Sequence, residues 1–277
     1  MTQKTLLITG CSTGIGLAAA ETMKARGWRV FASCRQQEDC DRLIAMGYES
    51  PRIDYLDPET IRTGLEEVLT ATGGTLDALF NNGARALPGA VEDLPTDGLR
   101  EMMESNLIGW HDLTRQVVPI MRKQGHGRIV QNSSVLGYVS MPYRGAYVAT
   151  KFALEGLSDS LRIELRDTPL HVILIEPGPI TSNIRTNAAK QFFKWIDWEN
   201  SPHAEDYRKG LVERLTEEDQ SPDKFELPAS AVCDKLIHAL EAEKPRARYR
   251  ITFPARLMHV LRRLLSTRAL DWVISKG

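Results

Sequence analysis

Nowhere does the chain carry an unbroken apolar run of about 18 residues, the least a helix needs to cross a bilayer, so no segment is expected to span a membrane. Cysteine is scarce. Cys11, Cys34, Cys40 and Cys233 show no Cys-x-x-Cys spacing and have no neighbouring histidines, which argues against a zinc site or a thioredoxin-like redox pair and leaves ordinary reduced thiols. The six histidines, at 111, 126, 171, 203, 238 and 259, form no His-Glu-x-x-His and no pair four residues apart. No helix face therefore offers two imidazoles to one ion, and no metal is expected. The opening MTQKTLLITG has neither a long apolar stretch nor a small-residue cleavage site, so the expectation is a cytoplasmic protein without a leader. No internal repeat or low-complexity tract occurs. Glycine is sparing, 20 in 277 residues, which makes its clustering informative.

What is present is an ordinary globular composition, 42% hydrophobic and 26% charged, long enough for a substantial core. Short apolar runs (TLLITG, RVFASC, PRIDY, LDALFNN, GRIVQNSS, HVILIEPG) recur with helical segments between them. Runs rich in Val, Ile and Leu without polar alternation suit strands buried on both faces, and the intervals are long enough for crossover helices. The fold class is therefore α/β, a doubly wound parallel sheet in a single domain, 1–277. DPETIRTGLEEVLTATGG starts with Pro58 after an acid and ends in two glycines, the start and stop signals of a helix. YVATKFALEGLSDSLRIELR repeats Leu154, Leu157, Leu161 and Leu165 on one helical face. After Ile180 the rhythm breaks, and residues 181–226 read as an insertion over the sheet edge, carrying Phe192, Phe193, Trp195, Trp198 and Tyr207.

TGCSTGIG, residues 9–16, places Gly10, Gly14 and Gly16 where the first strand turns into a helix. In open α/β sheets that turn presents helix N–H groups and a positive dipole end, and bare backbone lets a pyrophosphate approach. The Gly-x-x-x-Gly-x-Gly spacing departs from Gly-x-Gly-x-x-Gly, so taken alone it also fits a turn that packs helix on strand without a ligand. At the tip of the second strand, where an acid would hold a ribose 2′-hydroxyl and an arginine a 2′-phosphate, stands Arg35, with Glu38 and Asp39 only later. That favours NADP(H), with NAD(H) possible; the alternative is a solvated surface arginine.

In SSVLGYVSMPYRGAYVATK, Tyr147 and Lys151 are four residues apart, so on a helix they share a face with about 5–6 Å between Cβ atoms. A free phenol ionises near pH 10, and a cation within about 4–6 Å lowers that value, so Lys151 is expected to acidify Tyr147 for proton exchange with an alcohol or carbonyl. Ser134 follows the strand RIVQN, and Asn106 lies inside a helical segment, a place asparagine occupies well only when its amide is hydrogen-bonded. Individually these fit blander roles: two exposed helix residues, a strand-end cap, a helix defect.

Taken together, the motifs over roughly residues 4–182 resemble the short-chain dehydrogenase/reductase family, in the subgroup with a TGxxxGxG loop. The resemblance implies a Rossmann-type sheet of about seven strands and an NAD(P) cofactor held by Gly10, Ser12, Thr13, Gly14, Ile15 and Gly16. It further implies contacts from Arg35, Asp54, Tyr55, Asn82, Gly83, Pro177, Gly178, Ile180 and Ser182, and a catalytic tetrad of Asn106, Ser134, Tyr147 and Lys151. In that scheme Lys151 also grips the nicotinamide ribose and Asn106 orders a water that extends the proton path. Two departures stand out: the family's NNAG is NNGA here, exchanging Gly83 and Ala84, and Ser182 replaces the usual threonine. LITGCSTGIG, VFASCR and LIEPGPI resemble retinol and 17β-hydroxysteroid dehydrogenases and NADP-dependent aldehyde reductases more narrowly.

The expected function is a reversible oxidoreductase exchanging a hydride between nicotinamide and a carbonyl or alcohol, with an apolar aldehyde, ketone, retinoid-like or steroid-like substrate. The alternative is a non-catalytic nicotinamide-dinucleotide sensor or scaffold, which needs the glycine loop but no tuned phenol. Within the lid, the variable substrate segment at 181–226, the aromatics either line a pocket or dock the lid on the core. The segment 244–277 carries nine Lys or Arg against Asp271 alone, a charge of +8 against −9 for the rest. With Leu257, Leu261, Leu264 and Leu265 at helical spacing, that amphipathic tail could lie on an anionic membrane, though packing on its own domain or a partner subunit is favoured. No nucleic-acid partner is expected. A homo-oligomer, built through the helices of Asn106 and Tyr147, follows from the resemblance.

Overall fold

The computed structural model describes residues 3–216 and 223–276. Strand β1 (Thr5–Ile8) leads through the glycine loop into α1 (Gly14–Ala25), then β2 (Arg29–Ala32), α2 (Gln37–Ala45), α3 (Pro58–Thr72) and β3 (Ala78–Asn81). Next come α4 (Thr96–Met103), a π-helical turn (Glu104–Ile108), α5 (Gly109–Gln124), β4 (Gly127–Asn132), α6 (Gly145–Glu164) and β5 (Leu170–Pro177). The segment expected to be a lid contains α7 (Ile184–Trp195), the short α8 (Ala204–Asp206) and α9 (Glu213–Thr216). Helix α10 (Ser230–Glu241), β6 (Arg248–Ile251), α11 (Phe253–Leu264) and α12 (Thr267–Ser275) complete the described chain. Residues 217–222 of the expected lid lie outside the described residues.

All pairings in the sheet are parallel, in the order β2-β1-β3-β4-β5-β6. Because β2 lies on one side of β1 and β3 on the other, the chain reverses direction across the sheet beside β1. That reversal opens a crevice at the carboxyl ends of the strands, where ligands bind in doubly wound folds. Alternate strand residues face opposite layers. Leu6, Ile8, Phe80 and Val130 pack against α1, α2 and α10, whereas Leu7, Leu79, Ile129 and Val172 pack against α3, α5 and α6.

Helix α3 has the ends its sequence announces: Asp57 accepts a hydrogen bond from the Glu59 N–H as N-cap, Pro58 follows, and Gly73 closes the helix in the left-handed region. Two expectations are corrected. PRIDY is not a strand; beside β2 and the residues that follow it there are only isolated bridges, Phe31–Glu49 just before the segment and Cys34–Arg52 within it. Pro51 stands between the bridging positions and has no N–H for a ladder, so the described sheet has six strands rather than about seven. On α6, Leu154 and Leu165 are buried but Leu157 is exposed, so the apolar face is narrower than the leucine spacing suggested. The four cysteines are free and buried.

Candidate active site

Gly10 (φ +70°) and Gly14 (φ +59°) both occupy the left-handed region, which glycine adopts without steric cost. A Cβ on Gly10 would stand 2.5 Å from the Gly83 Cα, and one on Gly16 would stand 2.1 Å from the Gly10 carbonyl oxygen. The exchange that places glycine at 83 thus lies directly against the phosphate-type loop. Asn82 holds that contact: its Nδ2 donates to the Thr9 carbonyl at 3.0 Å, and its Oδ1 accepts from Asn132 at 2.8 Å. One amide therefore ties the ends of β1, β3 and β4 into one rim.

The cleft along this rim has a volume of about 790 Å³. Every expected site residue lines it except Gly16 and Asn106, which stand behind its wall. Gly14's missing side chain faces Ser182, whose Cβ would be 3.2 Å from a Cβ there. The start of the lid therefore closes over the glycine loop. Gly178 is equally confined, since a Cβ would approach the Thr252 hydroxyl to 2.2 Å.

Lys151 is wholly buried on α6, one turn beyond Tyr147. Its Nζ donates to the Asn132 carbonyl at 2.8 Å and lies 4.3 Å from the Trp110 ring centroid and 5.5 Å from that of Tyr147. Burial pushes the ammonium down to about 7, against a smaller upward pull from Glu155. Burial raises the phenol of Tyr147 to about 12, against a smaller downward pull from the neighbouring Ser134 hydroxyl. Burial governs both shifts, since removing water costs each group its charged form; the acidification of Tyr147 expected from Lys151 is not among the causes of its shift. At neutral pH the phenol holds its proton. Ser134 Oγ also accepts the Leu136 N–H at 3.1 Å, capping the turn after β4, so the cap and the contact with Tyr147 coexist.

Asn106 is fully buried in the π-helical turn. Its Oδ1 accepts the Arg85 N–H at 2.8 Å, and its Nδ2 donates to the Arg85 carbonyl at 2.8 Å and to Thr150 Oγ1 at 3.3 Å. The side chain acts as a substitute backbone that fixes the loop after β3 to α6. Tyr55 likewise has its hydroxyl 2.7 Å from both Thr9 Oγ1 and Asn81 Oδ1, which leaves it a structural strut.

Arg35 is exposed at the end of β2, and its side chain has no hydrogen-bond or ion-pair partner among the described residues, although burial of its stem and the nearby Arg85 charge lower its pKa. Arg85, which sequence reasoning did not single out, pairs with Glu101 at 2.8 Å and faces Asp54 at 3.9 Å. Trp110 and Asn132, the other partners of Lys151, also carried no spacing signal. In the lid, Phe192 is fully buried, and Leu87, Met102 and Tyr207 pack in the same cluster. The aromatics Phe192, Phe193, Trp195 and Trp198 do not line the cleft; Phe192, Trp195 and Trp198 dock the segment on the core, while Phe193 is exposed.

The short chain dehydrogenase model matches residues 4–192, and the chain belongs to that family. It is 38% identical to the uncharacterized oxidoreductase YbbO of Escherichia coli, over 98% of this chain and 94% of that one. Identity is 30% to the NADPH-dependent 3-dehydrocapnine reductase of Ornithobacterium rhinotracheale (98% and 95% covered) and 30% to retinol dehydrogenase 16 of Mus musculus (97% and 86%). Among solved structures, a short-chain dehydrogenase from Streptomyces avermitilis superposes with a TM-score of 0.78 at 30% identity, covering 100% of this chain and 95% of that one. The protein is accordingly an oxidoreductase that acts on alcohol and carbonyl groups with a nicotinamide dinucleotide.

Proposed function

We propose that the chain is an NADP(H)-preferring carbonyl reductase in which Tyr147 is the proton donor, Ser134 orients the substrate oxygen and Lys151 sets the charge around both. The residues fit the dinucleotide. Gly10 and Gly14, held in the left-handed region against Gly83 and Ser182, bring their backbone to the cleft wall, and Arg35 offers an uncommitted guanidinium for a 2′-phosphate. The name of the Ornithobacterium relative supports the same preference. Gly10 to Gly16, Asn82, Gly83, Asp54, the Pro177–Ser182 loop and Lys151 would hold the rest of the cofactor.

When bound, the nicotinamide supplies or accepts the hydride. The observation that carries the reading is that Ser134 and Tyr147 line the cleft together, with a buried lysine one turn beyond the tyrosine. In reduction, Ser134 donates to the substrate oxygen while Tyr147 gives that oxygen its proton, which the raised phenol still holds at neutral pH. The lid shields the exchange from water. Asn106 acts by fixing the backbone of Arg85. In the oxidative direction the same phenol acts in reverse, as the phenolate that takes the alcohol proton. A homo-oligomer through α5 and α6 is part of the proposal, and equilibrium sedimentation reads it directly.

The test is a pair of binding titrations. NADPH is expected to bind tighter than NADH, and Arg35→Ser is expected to erase about tenfold to a hundredfold of that difference, the worth of a charge-assisted contact. Tighter NADH binding by the unaltered protein would end the assignment of Arg35.

A further inference from the structure

Among the described residues, the lid end of the cleft carries more positive charge than its carboxylates neutralise. Arg144, Arg185, Arg214 and the exposed Lys190 line it, against Asp223 and Glu226. Both acids are committed. Asp223 pairs with Arg185 at 3.2 Å and with Arg214, while Glu226 accepts the Thr181 hydroxyl at 2.7 Å and the Asp223 N–H at 2.9 Å.

Arg144 is left over. It is half-buried, and its single hydrogen bond among the described residues runs from Nη1 to the carbonyl of its own neighbour, Tyr143, at 3.1 Å. A guanidinium has five N–H donors, and the others meet no acceptor among the described residues. Burial first, and then the charges of Arg214 and Arg185, work against its charged form, with Asp223 in partial relief. A cation in that position is costly to keep unless something anionic completes it. Its place is specific too: it immediately precedes α6, stands three residues before Tyr147, and lines the same cleft as Tyr147. Leu87, Leu211 and Leu215 also line the cleft and give it an apolar wall.

We propose that Arg144 receives an anionic oxygen-bearing group of the substrate, a carboxylate, sulfonate or phosphate, so that the substrate class is a carbonyl compound with an acid group on an apolar body. This rests on Tyr147 being the proton donor. It also amends the expectation of a wholly apolar substrate.

Matched aldehydes test it. With NADPH, 4-formylbenzoate and 4-formylbenzenesulfonate are expected to exceed benzaldehyde in kcat/KM by about tenfold to a hundredfold, mostly through KM, because a hydrogen bond to a charged group contributes that much. Arg144→Gln should bring the ratio close to one, and Arg144→Lys should restore part of it, while NADPH binding reports that the variants are folded. An equal ratio in the unaltered protein, or a preference that survives Arg144→Gln, overturns the proposal. Should none of the aldehydes be reduced, the role of Tyr147 fails separately. Calorimetry of benzoate against benzamide, with NADP+ present, then decides the anion site: tighter benzoate lost in Arg144→Gln sustains it, and equal binding overturns it.

Discussion

Lys151 is a cation enclosed by a carbonyl, an indole face and a phenol, and its value of about 7 measures what that enclosure costs. Its folded value lies below the unfolded one of 10.5. Between those limits the unfolded chain binds more protons, so stability rises with pH from about 7 upward and the full cost of the buried charge is felt below 7. Lys151→Met, similar in length and uncharged, is therefore expected to raise Tm at pH 6 and to lose that advantage as pH climbs toward 9; differential scanning calorimetry at both pH values reads it. A gap that widens with pH would contradict the buried-charge account. At this scale Tyr147, Lys151, Ser134 and the glycines were legible because a fixed spacing announces them. The protonation states were not, since they depend on how completely packing removes water. Arg144 was hidden because a lone arginine looks solvated until its neighbours' partners are known.

Elements place these groups through close backbone approach. The glycine loop and the loop after β3 touch at distances that leave no room for Cβ atoms at 10 or 16, and the residues after β5 and β6 meet as closely at 178. Gly10→Ala is expected to lower stability by more than about 1 kcal/mol, since it combines a strained φ with a clash against Gly83. Tm should fall by several degrees and NADPH binding should weaken with it. A variant with unchanged melting and affinity would show that the loop is not so constrained. Elements with capping signals or continuous apolar runs were readable in advance. Strand β6, Arg248–Ile251, was not: it alternates Arg248 and Arg250 with the buried Tyr249 and Ile251, a pattern that a search for unbroken apolar runs passes over. PRIDY misled in the opposite sense, because the search for apolar runs ignored the missing N–H of Pro51.

Across the whole molecule, the basic tail is partly an internal counterion. Arg248 binds Glu155, Asp159 and the fully buried Glu176, and Arg250 Nε lies 2.9 Å from Glu176. The network fastens β6 to β5 and α6, so part of the +8 faces inward. Helix α11 docks as well: the Tyr138 hydroxyl donates to the Ala255 carbonyl at 2.7 Å, and Arg262 binds the Tyr138 carbonyl. Among the described residues no helix is long and apolar enough to cross a membrane. Arg248→Leu strands buried carboxylates and is expected to cost about 3–5 kcal/mol, on the order of ten degrees in Tm for a chain this size; thermal melting checks it, and a loss under two degrees would assign the network little weight.

The measurement that bears most directly on the central claim is turnover by Tyr147→Phe, which removes one hydroxyl and keeps the ring. NADPH binding should persist near the unaltered value, while kcat/KM for a reducible aldehyde should fall by about 10²–10⁴, the range a positioned proton donor contributes. Turnover within a few fold of the original, with NADPH still bound, would contradict the account.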